Sequence, residues 1–238
     1  MESTSKRILV MGGTGAGKSK AGNFILDGRD SGRFKSSAAC VGGVTKAVRI
    51  QEANALGNSQ NPKVTFVDVP GFGDPTFKIE EIAKEIEKAF SSGQKIQICM
   101  IVTKSTDYRL SLQEIIALKA IKTFLSDMKP EGFYCWISHC DISKPDEAFI
   151  KGKLDSYNQF ANIAIPRQNV ILFNNSAASL NDFVGKLRST TLPSMSINLP
   201  MLQQNAKAIS SEIGSLISGV KQKNEDLDRK KKAEIEAE

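Results

Sequence analysis

Short apolar runs alternate along this chain with segments whose apolar residues recur every three or four positions. Runs near 6–11, 47–51, 63–68, 96–102, 133–138 and 169–173 read as strands. The periodic segments near 18–27, 78–91, 111–127, 145–160 and 178–190 read as helices. Strand and helix in turn predict an α/β fold, a mostly parallel six-stranded sheet with helices on both faces. No helix fits between 47–51 and 63–68, so these two strands are expected as an antiparallel hairpin at one edge. The loop around Gly57-Asn58-Ser59-Gln60-Asn61-Pro62 would join them.

The segment 111–127 carries its own start signal. Ser111 with Glu114 three residues on matches a capping box, and Ile115, Leu118, Ile121 and Leu125 form an apolar stripe. After Pro193 the pattern changes. Leu202, Ala206, Ile209, Ile213, Leu216, Val220 and Leu227 recur at steps of three and four, with Lys223 breaking the series. That spacing suits a coiled coil between chains or an amphipathic helix docked on its own domain. The expected division is therefore a nucleotide-binding domain over 1–193 and a helical or coiled-coil extension over 194–238.

Composition narrows the class. The chain has 238 residues, 40% hydrophobic and 24% charged, enough for one α/β domain with an appendage. Its 32 basic and 26 acidic residues leave a net charge of +6 and a pI near 9.1. No nucleic-acid-binding signature accompanies that excess, so bound phosphate accounts for it and nucleic acid is not an expected partner. Cys40, Cys99, Cys135 and Cys140 show no metal or disulfide spacing, and no leader opens the chain. A cytoplasmic protein with reduced thiols is expected. Attraction to the cytosolic face of a membrane rests on Arg229-Lys230-Lys231-Lys232 alone, which Glu234, Glu236 and Glu238 offset.

The candidate chemistry begins at Gly12-Gly13-Thr14-Gly15-Ala16-Gly17-Lys18-Ser19, between a strand and a helix. This is the phosphate-binding loop: backbone N–H groups and the helix N-terminus cradle phosphates, and Lys18 adds a point charge. Lys20 follows at the helix start, and the Ser19 hydroxyl is placed to ligate Mg²⁺. Asp68-Val69-Pro70-Gly71 closes the strand Val64–Val67. Asp68 would hold Mg²⁺ through a water, and Gly71 would present its N–H to a γ-phosphate. An ATPase would place an acidic residue directly after Asp68, where this chain has Val69, so the spacing favours a guanine nucleotide. Thr45, in the loop before the second strand, is either a third Mg²⁺ ligand that senses the γ-phosphate or an ordinary polar loop residue. Ser138-His139-Cys140-Asp141 follows the strand 133–138, where a base-reading carboxylate belongs, and Asp141 is the candidate. His139 stands where many GTPases place a lysine packed on the base. It stacks there or has no role. Asn174, Asn175 and Ser176 would complete the base pocket with Cys140.

These motifs together resemble the GIMAP/avirulence-induced type of immunity-associated GTPase, a family related to the septins and the chloroplast-import (Toc) GTPases. The resemblance rests on G-x-x-G-x-G-K-S, G-N-x-I-L, V-T-K, D-x-P-G-F, the box from Tyr108-Arg109-Leu110-Ser111 to Lys122, and F-N-N, across about residues 5–190. The chain departs from the family at S-H-C-D, where T-R-x-[DE] is usual; the histidine is closer to the Toc form. The resemblance implies a P-loop GTPase domain that binds GTP or GDP with Mg²⁺ and dimerises through its nucleotide face. Arg109 would then act as an arginine finger in the partner's site, or simply flank the helix cap in solvent. Phe72 occupies the place of the water-orienting glutamine, and a phenyl ring cannot orient water. A slow GTPase switch or scaffold with GTP-dependent self-association is expected. The alternatives are a septin-like structural oligomer with little hydrolysis and, third, a P-loop ATPase or nucleotide kinase.

Overall fold

The computed structural model describes residues 5–35, 47–71, 79–90, 93–107, 110, 112–188, 192, 194–197 and scattered positions between 202 and 218. In chain order the elements open with β1 (Lys6–Gly12), α1 (Lys18–Asp27), β2 (Arg49–Asn54), β3 (Lys63–Asp68) and α2 (Ile79–Phe90). There follow β4 (Lys95–Ile96), β5 (Ile98–Lys104), α3 (Leu112–Phe124), β6 (Phe133–Ser138) and α4 (Glu147–Ala161). The last are β7 (Val170–Leu172), α5 (Asn181–Leu187) and β8 (Met195–Ser196).

The main sheet has six strands in the order β2-β3-β1-β5-β6-β7. All pairs are parallel except β2 with β3, which run antiparallel at the edge as the short connection demands. A 3-10 turn at Ala55–Gly57 opens that connection, and buried Asn61 ties it shut by donating to the Ala55 carbonyl at 2.8 Å.

Two expectations change. The run expected over 96–102 breaks at Gln97, whose side-chain oxygen accepts the Arg7 N–H at 2.7 Å. The residues before it form β4, which pairs antiparallel with β8 in a separate two-stranded sheet. The helix expected over 178–190 is a 3-10 turn, Ala177–Leu180, followed by the shorter α5.

Strand pleating divides the core in two. Leu9, Met11, Cys99, Ile101, Cys135 and Ile137 point to one face, where Ile82, Ile86, Leu118, Ile121 and Tyr157 of α2, α3 and α4 cover them. Ile8, Val10, Met100, Val102 and Trp136 point to the other face and meet Ile25 of α1 and Phe183 of α5. Burial on both faces explains why the strands read as continuous apolar runs. Leu202 and Ala206 join the first of these cores, so the start of the C-terminal helical segment packs on its own domain. Positions 209, 213, 216, 220, 223 and 227 of the expected seam lie outside the described residues.

The strand order reverses direction about β1, with β3 on one side and β5 on the other. In open α/β sheets the crevice at the C-terminal ends of such strands is the binding position. The loop after Gly12 opens there.

Candidate functional site

β1 runs against β5 so closely that a Cβ on Gly12 would stand 2.4 Å from the Val102 carbonyl oxygen. Only glycine fits there, and it starts the loop. Gly17, the N-cap of α1, offers no side-chain acceptor, so the first turn of the helix keeps its N–H groups directed into the loop. Lys18 is buried and curls back over the same loop, donating to the carbonyls of Gly12 at 3.2 Å and Gly13 at 3.0 Å. Its ammonium is thus held at the loop's centre.

The strand β3 brings the second motif alongside. Asp68 is fully buried and accepts a hydrogen bond from the Ser19 hydroxyl at 2.8 Å. Gly71 then passes against Thr14: a Cβ on Gly71 would sit 2.6 Å from Thr14 Oγ1 and 2.9 Å from its backbone nitrogen. Thr14 Oγ1 is buried and has no hydrogen-bond partner among the described residues. A hydroxyl in that state is costly unless a bound polar group meets it.

Ser138, at the end of β6, ties the two halves together. Its hydroxyl lies 2.9 Å from the Ala16 carbonyl of the phosphate-binding loop and 3.1 Å from the Thr103 carbonyl of β5. Ser138 Oγ also shares a hydrogen bond of 2.8 Å with His139 Nδ1. His139 adopts a left-handed backbone, φ 61°, and its carbonyl accepts the Ser105 hydroxyl at 2.8 Å. Burial, then the charges of Lys104 and Lys20, push its pKa below the ordinary 6.5, while Asp141 and Asp107 pull it back in part. That shift favours the neutral form of the imidazole.

Asp141 is exposed and accepts from Asn175 Nδ2 at 2.7 Å, so the two base-pocket segments meet through side chains. Asn174 is exposed beside them. Ser176 is used locally: its hydroxyl caps the next 3-10 turn by accepting the Ala178 N–H at 3.2 Å. Cys140 differs from the expectation of a nucleotide contact. Its thiol donates to the Ile137 carbonyl and its N–H to the Phe173 carbonyl, both at 3.2 Å, so both donors serve the scaffold. Burial raises the thiol to about 11. Beneath this turn Phe173 packs on Trp136 at 4.5 Å and on Phe24 of α1 at 4.8 Å between ring centroids.

Thr45, Phe72 and Arg109 lie outside the described residues, as does Ser111. Glu114, expected to cap α3, is buried and accepts from Thr103 Oγ1 at 2.6 Å and from Lys153 Nζ at 3.1 Å. The residue pattern did not reveal Ser138 as the tie, nor Asn23. Buried Asn23 bonds both the N–H and the carbonyl of Phe34 and so holds the loop after α1.

A family-level sequence profile described as the AIG1 family matches residues 6–183. Among solved structures, Toc33 from Arabidopsis thaliana in complex with GDP and Mg²⁺ superposes with a TM-score of 0.53 at 17% identity, covering 82% of this chain and 88% of that one. A dimerization-deficient arginine-to-alanine mutant of the same protein gives 0.50 at 16%, covering 81% and 87%. A third structure, described under the statement that dimerization is important for the GTPase activity of atToc33 and psToc159, gives 0.52 at 17%, covering 87% and 83%. No curated protein sequence matches the chain. At these identities the structural likeness carries the fold, a P-loop GTPase fold. The profile spans most of the chain and reaches from β1 into α5, across every motif described above: this chain belongs to the AIG1 family.

Proposed function

We propose that this protein binds guanine nucleotides and works as a slow GTPase switch or scaffold, self-associating through its nucleotide face when GTP is bound. One observation carries the reading. The Ser138 hydroxyl fastens the loop Gly12–Ser19 to the turn bearing His139 and Asp141, so a phosphate cradle and a base-reading carboxylate meet at the C-terminal ends of the strands. The GDP and Mg²⁺ bound to Toc33 support the same ligands here.

The residues have distinct work. The backbone N–H groups of the loop and Lys18 take the β- and γ-phosphates, and the orphaned Thr14 hydroxyl gains an acceptor beside Gly71. Ser19 and Asp68 offer hard oxygen donors already in contact, a set that suits Mg²⁺. When bound, the ion would neutralise charge developing on the phosphates. Asp141, steadied by Asn175, accepts from the guanine edge, and the neutral His139 ring stacks on the base. Phe72 leaves the attacking water unoriented, which keeps hydrolysis by one chain slow. Arg109 of a second copy would supply the missing charge, an arrangement worth ~10³–10⁵ in rate where it operates. The dimerization-deficient arginine-to-alanine mutant of Toc33 supports an arginine at a contact between copies. The free thiols of Cys99, Cys135 and Cys140 support a reducing compartment such as the cytoplasm.

Base choice is tested at Asp141. Wild type should bind GDP and not ADP, and Asp141→Asn should lose GDP at least tenfold while gaining xanthosine diphosphate. Equal GDP affinity in the variant contradicts the role.

A further inference from the structure

The S-H-C-D turn has no lysine, but the end of the neighbouring strand has one. β5 ends at Lys104, whose Nζ lies 3.9 Å from the position a Cβ on Gly15 would take, over the crown of the phosphate-binding loop. The side chain is half-buried, and Lys104 pairs in register with Ser138 across β5 and β6.

The strand end is clamped on both sides of it. Thr103 is bonded to Glu114 at 2.6 Å. Ser105 donates its N–H to the Ser138 carbonyl at 2.9 Å and its hydroxyl to the His139 carbonyl at 2.8 Å. Among the described residues neither Lys104 nor Lys20 makes an ion pair. Lys104 and Lys20 both act on His139, and Lys18 lies within the same loop. Asp107 and Asp141 are the carboxylates whose charge reaches the imidazole. Several cations converging on one loop repel each other, and a polyanion seated in the loop relieves that repulsion.

We propose that Lys104 is a nucleotide-binding residue that reaches the phosphate chain beside Gly15 from the end of β5. The proposal rests on the guanine-nucleotide reading above. Two roles that one lysine fills in many GTPases are divided here: His139 supplies the flat surface for the base, and Lys104 supplies the charge. The division also explains why an imidazole held neutral is tolerated at position 139.

Release of fluorescently labelled GDP by the full chain tests this, in wild type, Lys104→Gln, Lys104→Arg and the distant control Lys129→Ala. Lys104→Gln removes the charge, leaves a polar end and shortens the side chain by one atom. It should release GDP roughly 10- to 100-fold faster, the range expected for one charge-assisted hydrogen bond. Lys104→Arg should restore most of the loss, Lys129→Ala should match wild type, and the unfolding temperature without nucleotide should stay the same in all four. Wild-type release from Lys104→Gln overturns the proposal while leaving the guanine reading intact. So does a loss matched by lower stability of the nucleotide-free protein. Failure of wild type to retain GDP at all overturns both.

Discussion

Ser138 and His139 show how much of this site depends on single polar atoms. One hydroxyl meets the Ala16 carbonyl, the Thr103 carbonyl and the imidazole, and so aligns the phosphate loop, β5 and the base turn. Because the chain has one histidine, proton NMR reads His139 without ambiguity. Its folded-state pKa is depressed chiefly by burial, so the unfolded chain takes up the proton first as pH falls. Its contribution to stability is therefore complete above 6.5 and lost as pH drops from there through the folded value. The nucleotide-free protein should titrate with a midpoint below 6.5, and a midpoint at or above it contradicts the buried, cation-flanked position. At this scale the glycines, Lys18 and Ser19 stood out as a motif because they are contiguous in the chain. The Ser138 contact did not, because its partner Ala16 is 122 positions away. Spacing places Cys140 in the turn, but the path of the backbone turns its thiol and N–H to the carbonyls of Ile137 and Phe173.

Among the elements, α3 and α4 are joined to β5 by a buried polar cluster of Thr103, Glu114 and Lys153. The side chains of Lys153 and Glu114 are only 3% and 9% exposed, so their charges are kept from water on the flank of the site strand. Removing one partner of such a pair strands the other. Lys153→Met should cost about 3–5 kcal/mol in urea unfolding, and adding Glu114→Gln should recover most of it while still accepting from Thr103. A cost within about 0.5 kcal/mol, the usual range for surface changes, contradicts burial of the pair. Helical periodicity suggested α3 and α4 correctly, since Leu118, Ile121, Leu125, Ile150 and Tyr157 all face the core. It could not reveal that Glu114 turns inward to a lysine 39 positions later rather than serving only as a cap. The β4–β8 pair was likewise invisible, because strands of two residues carry no period.

Across the whole molecule, the reversal of strand order about β1 gathers the site along the edge formed by the C-terminal ends of the central strands. β1 delivers the phosphate loop, β3 delivers Asp68 and Gly71, β5 delivers Lys104, and β6 delivers His139 and Asp141. That edge was readable from sequence because each motif follows a recognisable apolar run. The proposed self-association rests on the family resemblance alone, since a surface that meets a second copy leaves no periodic mark. α3 is held to the site strand through Thr103 and Glu114, and the segment carrying Arg109 leads directly into it. The direct test is sedimentation velocity of the full chain at one concentration, loaded with GDP or with a non-hydrolysable GTP analogue. GDP should leave a 25.9 kDa monomer and the analogue should give a species of about twice that mass. A monomer in both states, with nucleotide demonstrably bound, contradicts the self-association on which the proposed switch depends.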